Sequence, residues 1–361
     1  MGQIEAASRP GKSTGVLLAI QYQEIANRLR AFRLGSGLSA DEIARRVGIS
    51  RTALYRFEKG ELAKIETLEK LSDLLQVSMP TLLGVGIEYM PSAVSYFERM
   101  RQFEETAEHI MVLSGPISFL LASDRFLELL DTVLKESLPP DLPDREKTVA
   151  QVDQIMAILT QRKETYRRRR PGILNLISAR EIRRFVQSGL IGNPSISGVE
   201  LEERRALARA EIEHFASVIE DEAIGVQIGV VTESLPHTHF QIFRMADTKM
   251  LTISPFRLGE QPNIRLGVAM ITSAPEAITL HEKAVNEMWR GAIKGAAAAA
   301  HLRGLLLPPS TDLERAGVLP NEAEAPVPPV VLGDGAPEKV VNRTASKPRS
   351  GDAAGRRLRI K

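Results

Sequence analysis

Basic side chains cluster in one short part of the chain, with the types and spacing needed to contact nucleic acid. Arg51 and Arg56 lie close together, and an arginine can donate two parallel hydrogen bonds to the O6 and N7 edge of guanine. The neighbouring cations are Arg45, Arg46 and Lys59. Such side chains can hold phosphates, which fixes register without reading sequence. Residues 21–60 contain eight basic and four acidic residues, although the net charge of the 361-residue chain is only +2.

The elements that must position these cations follow from the apolar pattern of residues 40–59. A helix-turn-helix unit needs small or apolar residues at fixed offsets, because its two short helices cross steeply and touch at few points. The matching residues are Ile43, Ala44, Val47, Ile49, Leu54 and Phe57. Gly48 falls where the turn requires a left-handed backbone, which glycine adopts at little cost. The window therefore predicts two helices joined by a tight turn.

Capping residues agree with these helix boundaries. Ser39 and Glu42 have the spacing of a capping box for the first helix. Ser50 can cap the second helix, and Lys59–Gly60 ends it.

The run "R…GLS…EIARRVGIS…LYRFEKG" resembles the XRE (Cro/C1-type) family of helix-turn-helix regulators. A helix over Leu68–Val77 and a short last helix near Thr81–Leu83 complete the family pattern. The resemblance covers residues 21–83 and implies a five-helix domain that binds double-stranded DNA through the second helix of the unit.

The resemblance also implies residue roles. Arg33 corresponds to a family arginine that pairs with the acidic residue at Glu58 and pins the first helix to the recognition helix. The base-reading positions fall on Ser50, Arg51, Thr52 and Arg56. The positions expected at the DNA backbone are Arg45, Arg46, Tyr55 and Lys59. Ala40 departs from the family, since many members have a phosphate-binding glutamine there, so the half-site preference of relatives does not transfer.

Composition restricts the remaining function classes. The chain has no cysteine, which excludes disulfides, thiolate catalysis and cysteine metal sites and fits a reducing compartment. No apolar run approaches the roughly 18–20 residues of a membrane span. We therefore expect a cytoplasmic protein with no cofactor and no metal.

The pattern along the chain predicts a mainly α N-terminal half followed by an α+β domain. The expected regions are a flexible arm (1–20), the DNA-binding domain (21–84), a helical linker or dimerisation region (88–170), an α+β effector-sensing or assembly domain (171–306), and a disordered Pro-rich and then basic tail (307–361). A long amphipathic helix is expected from Ser92 through Met111. Period-two alternation from Ile224 to Val230 predicts a strand, and Ala246–Lys249 predicts a hairpin turn.

A single helix-turn-helix unit reads few base pairs, so we expect a homodimer on an inverted repeat. The apolar helices of 92–165 either supply the dimer contact or form a bundle within one chain. Residues 201–295 loosely resemble a domain appended to many long XRE regulators, with "GVVTESLP", "HFQIFR" and "HEKAVNEMWRGA" in order. By implication this domain senses a small-molecule effector or mediates assembly.

Two other function classes compete with the regulator. The appended domain resembles a reduced phospholipase-D-like fold, and His281 with Lys283 forms half of its motif, but Met288 replaces the required aspartate. We therefore do not expect an enzyme. An antitoxin-like module that binds a partner protein is the other alternative, and exposed arginines without a packing role argue against it.

Three further motifs are too unspecific to indicate a function on their own. His237 and His239 alternate at the start of a strand, but two ligands do not make a metal site. The run Arg167–Arg170 can hold the DNA backbone or an anionic effector, although such a run is more often a solvated face or a linker. The basic residues after Lys339 can add non-specific attraction to DNA.

Overall fold

A computed structural model describes residues 13–113, 115–233, 235–236, 239–259 and 261–307, with the side chains of 13–21 left out. Its first part is five helices: α1 (Ser13–Gly35), α2 (Ala40–Val47), α3 (Arg51–Phe57), α4 (Ile65–Leu75) and α5 (Met79–Leu83). Helix α1 begins inside the range 1–20 that we expected to be a flexible arm. The rest of that arm, the tail from 308 and His237 lie outside the described residues.

The remaining elements form a mixed sheet with helices on both faces. In chain order they are β1 (Ile87–Met90), α6 (Ala93–Glu104), β2 (His109–Leu113), α7 (Asp124–Glu136), α8 (Arg145–Arg169), β3 (Gly172–Ser178), α9 (Ala179–Ser188), α10 (Gly198–Glu220), β4 (Val226–Val231), β5 (Phe240–Arg244), β6 (Lys249–Ile253), β7 (Ala269–Thr272), α11 (Pro275–Gly291) and α12 (Gly295–Leu306). Within the described ranges, no helix has both the length and the apolar character needed to cross a bilayer.

The sheet has the strand order β1-β7-β6-β5-β2-β3-β4. Strands β2, β3 and β4 are parallel, and helical crossovers connect them, as parallel neighbours require. The predicted hairpin is confirmed, since β5 and β6 pair antiparallel across Ala246–Lys249. Strand β1 pairs antiparallel with β7 at the outer edge.

Two apolar cores lie on opposite faces of the sheet. On one face, residues such as Ile173 pack with Phe215 of α10 and Leu302 of α12. On the other, Leu176 packs against Val285 of α11. The ring of Trp289 in α11 packs against Gly229 of β4. A Cβ at position 229 would lie 2.8 Å from this ring, so the packing of α11 on the sheet requires glycine there.

The expected helix from Ser92 through Met111 is wrong in its second half. Helix α6 ends at Glu104, and Ile110 and Met111 lie in β2. The side chains of Ile110 and Met111 face opposite cores, and an apolar run buried on both faces has no period that separates strand from helix. Residues 88–170 therefore contribute two strands and share one sheet with 171–306. Where one domain ends and the next begins stays a prediction.

The helices that flank the sheet begin in different ways. The cap residue of α11 is Ala274, which makes no side-chain cap hydrogen bond, and a further helix, α12, follows α11. At the start of α9, Ser178 Oγ accepts a hydrogen bond from the backbone N–H of Glu181 at 3.3 Å.

Helix α1 docks on the sheet through buried ion pairs. Arg28 donates to Glu88 of β1 at 2.5 Å, and the fully buried Arg99 of α6 donates to the same carboxylate at 3.1 Å. Arg99 also reaches Glu24 of α1 at 3.1 Å. Because each buried cation has carboxylate partners, the charges offset each other's desolvation and tie α1 to β1 and α6.

Candidate nucleic-acid interface

Local capping holds α2 and α3 in the arrangement of a helix-turn-helix unit. Ser39 Oγ accepts from the backbone N–H of Glu42 at 3.1 Å, and Ser50 Oγ accepts from Ala53 at 3.1 Å. Gly48 has φ of 80°, as expected for the left-handed turn residue. The reciprocal half of the capping box at Ser39 is replaced, because the Glu42 carboxylate accepts hydrogen bonds from Arg45 and Arg46.

A small apolar core fixes the angle between the two helices. Ile43 of α2, Leu54 of α3 and Leu71 of α4 are fully buried and belong to one cluster. Burial of side chains of this size stabilises by about 1.5–3 kcal/mol each. The outer face of α3 is therefore presented on a packed support.

The carboxylate of Glu58 anchors the end of α3 to α1. The Arg33 guanidinium donates two hydrogen bonds to it, from Nε and, at 3.1 Å, from Nη2. The Glu58 side chain is only 4% exposed. Arg33 also lies 5.7 Å from the centre of the Tyr55 ring. The structure thus brings together the two residues that the family resemblance implies as a pair.

Four side chains form the exposed surface that the resemblance assigns to base reading. Ser50, Arg51, Thr52 and Arg56 are all exposed at or after the start of α3. Ser50 uses its oxygen as a helix cap, which leaves its O–H to donate. The side chains of Arg51 and Arg56 are 56% and 62% exposed.

Each of the two arginines has an acidic neighbour in the free protein. Arg51 Nη1 lies 3.0 Å from Asp41, and Arg56 Nε lies 2.7 Å from Glu61. The hydroxyl of Tyr55 and then the carboxylate of Asp41 raise the pKa of Arg51, and Glu61 raises the pKa of Arg56. The sequence did not predict either acidic partner. It shows only that residues of opposite charge occur nearby in the chain, and not which of them pair.

The residues expected at the DNA backbone flank this surface. Arg45 and Arg46 share the Glu42 carboxylate at 2.7 and 2.6 Å, and these bonds lower the pKa of Glu42. Lys59 is exposed, and Tyr55 is half-buried beside Arg51. Exposed ion pairs contribute at most about 1 kcal/mol, so phosphates can replace these carboxylates at small cost.

His281, a candidate catalytic residue of the alternative enzyme hypothesis, packs against its neighbours. His281 Nδ1 lies 2.8 Å from the carbonyl oxygen of Ala277, and its ring packs edge-on against Phe240. Among the described residues, no group of three or more His, Asp or Glu side chains is placed to hold a metal ion.

Comparison with known proteins agrees with this geometry over one part of the chain. A family model described as helix-turn-helix matches residues 29–82. Searches of curated proteins and of solved structures found no match. The matched range spans all of α2 to α4 and most of α5, and it includes the Arg33–Glu58 pair. This part of the chain is an XRE-type helix-turn-helix domain.

Proposed function

We propose that the chain is a cytoplasmic transcriptional regulator that binds specific DNA sequences as a homodimer, with α3 in the major groove. The observation that carries this proposal is the exposed surface of Arg51, Thr52 and Arg56 on a helix that the buried Arg33–Glu58 pair holds in place. Arginine at such positions can read guanine through two hydrogen bonds. We propose a dimer because one helix-turn-helix unit contacts only a few base pairs. Two such half-sites, one helical turn (~34 Å) apart, would form an inverted repeat.

The sequence left open whether helices 92–165 pair two chains or pack within one. Phe97 of α6, Phe126 of α7 and Ile155 of α8 are all buried in the chain's own core. This burial supports packing within one chain, so we propose that the dimer uses other surfaces.

We further propose that the sheet-containing part adjusts DNA binding and does not catalyse a reaction. The packing of His281 against Phe240, together with Met288 in place of an aspartate, supports this interpretation over a phospholipase-D-like enzyme.

The test is selection of bound DNA from a random pool with the full chain at a stated salt concentration. We expect an enriched inverted repeat, and Arg51→Ala should cost about 1–3 kcal/mol on it while relaxing preference at one base position. Arg290→Ala, an exposed arginine of α11, is the matched control. If Arg51→Ala weakened selected and random DNA equally, a base-reading role for Arg51 would be wrong.

A further inference from the structure

A cleft opens at the carboxyl ends of β2 and β3. The chain passes from β2 to β3 on one side and later returns as β5 on the other side of β2. In open α/β sheets, ligands bind in the crevice that forms where the strand order reverses in this way. Two adjoining cavities, a larger and a smaller one, lie here and open to solvent, and both are bordered by Gly115, His239 and Arg257.

Aromatic side chains line the larger cavity. Tyr96 and Phe97 come from α6, Phe126 comes from α7, and Phe256 follows β6. All four are buried, and the ring centres of Tyr96 and Phe256 lie 6.0 Å apart. Such a wall favours an apolar or aromatic ligand body.

The cation in this wall is already neutralised. Arg162 is 3% exposed and donates to both oxygens of the buried Glu104 at 3.0 and 3.1 Å. Its guanidinium also lies 5.3 Å from the centre of the Phe119 ring and 5.7 Å from that of Phe97. Arg162 therefore polarises the aromatic wall of the larger cavity without adding a free charge to it.

Basic side chains border the smaller cavity. Arg184 and Arg257 are exposed on its border, and His239 lies with its Nε2 3.9 Å from Glu181. Glu181 packs over Gly115 so closely that a Cβ there would lie 1.5 Å from its Oε2. His239 is the main group that lowers the pKa of Glu181. The exposed guanidinium of Arg257, beside His239, suits an anionic group.

We propose that this cleft binds a small organic anion, with its apolar or aromatic body against Tyr96, Phe97 and Phe256. Its carboxylate, sulfonate or phosphate would lie beside Arg257 and His239. Arginine suits this role because its planar donors match such oxygens.

Helix α6 connects the cleft to the DNA-binding domain, a consequence that rests on the function proposed above. Tyr96 and Phe97 line the cleft, and the same helix contacts α1. Those contacts run from Glu98 to Arg30 at 3.1 Å, from Arg99 to Glu24 at 3.1 Å, and from Gln102 to the carbonyl of Asn27 at 3.1 Å. A ligand that moves α6 would therefore move α1 and the helices docked on it.

The test uses two fluorescent probes that differ in one group. 1-Anilinonaphthalene-8-sulfonate is an aromatic anion, and N-phenyl-1-naphthylamine is its neutral counterpart without the sulfonate. We expect one saturable anilinonaphthalene sulfonate site per full-length chain, measured without DNA. Arg257→Ala should weaken sulfonate binding at least about tenfold, as loss of a charge-assisted hydrogen bond does, and leave the neutral probe within about twofold. Arg290→Ala should change neither.

The proposal is overturned if the sulfonate probe does not bind saturably, or if Arg257→Ala leaves its affinity unchanged. Equal loss of both probes by an Arg257→Ala protein with wild-type circular dichroism and melting temperature would overturn the anion assignment. Because probe binding is measured without DNA, this result is independent of the DNA selection. Addition of probe to the protein on its selected DNA then tests the coupling through α6, and unchanged DNA affinity at saturation would overturn that coupling.

Discussion

At the scale of single residues, the Arg33–Glu58 pair sets the position of α3. Removal of one partner leaves the other charge buried, which costs more than the pair itself contributes. The Glu58 side chain is 4% exposed and that of Arg33 is 12% exposed. The position of the exposed surface of α3 therefore depends on two residues that do not belong to that surface.

We expect Arg33→Ala to destabilise the DNA-binding domain by about 3 kcal/mol, because Glu58 would lose both hydrogen bonds in a buried position. Urea denaturation followed by circular dichroism measures this change. The double variant Arg33→Met/Glu58→Met should lose clearly less free energy of unfolding, since it leaves no unpaired charge. A double variant as unstable as Arg33→Ala would show that packing and not charge holds this contact.

Residue types were easier to predict than residue partners. The exposed arginines of α3 could be predicted from the motif, because the positions of a helix-turn-helix unit lie within one short segment. Their acidic partners could not, because the pairing of Arg51 with Asp41 depends on how α2 and α3 cross. The lining of the cleft was also missed, since Tyr96 and Phe256 meet only after the sheet has formed.

At the scale of elements, the turn between α2 and α3 depends on Gly48. Its φ of 80° lies in the left-handed region, and a Cβ there would meet no atom within 4 Å. A substitution at Gly48 therefore changes backbone energy without a steric clash.

We expect Gly48→Ala to destabilise the domain by about 1–2 kcal/mol, the cost of a left-handed backbone for an L-residue. Gly48→Asn should cost less, because asparagine visits this region more readily. Gly291→Ala is the control, since Gly291 has an open Cβ position and no positive φ. Thermal melting of the three variants checks the order, and equal stability of the Ala and Asn variants would contradict it.

Elements with one buried face were predicted best. Helices α2 and α3 show their period because each has a solvated side, whereas β2 is apolar on both sides and was assigned to a helix.

At the scale of the whole molecule, buried charges join the DNA-binding domain to the sheet. Arg99 is fully buried and binds Glu88 of β1 and Glu24 of α1. Glu88 lies 11 residues and Glu24 lies 75 residues from Arg99, and no sequence motif links the three, so the sequence did not predict this junction.

We expect the wild-type chain to unfold in one calorimetric transition and Arg99→Leu to unfold in two, with the DNA-binding domain melting first. The variant leaves Glu24 and Glu88 with fewer partners at the junction, a loss of about 3–5 kcal/mol for a buried pair. Arg30→Ala is the control, because Arg30 is 46% exposed and its partner Glu98 keeps its hydrogen bonds from Arg101. Two transitions in the wild type, or one in Arg99→Leu, would contradict the expected role of this junction.

The pairing of β1 with β7 has a consequence for the order of events on the ribosome. Met90 pairs with Ala269, so β1, the edge strand next to the DNA-binding domain, cannot pair until β7 has been synthesised much later. At roughly 5–20 residues per second, this interval is on the order of ten to forty seconds. During that time the helix-turn-helix domain is complete, while Glu88 of β1 lacks its neighbouring strand. A nascent chain can therefore have a finished DNA-binding surface before the sheet that supports its first helix is closed.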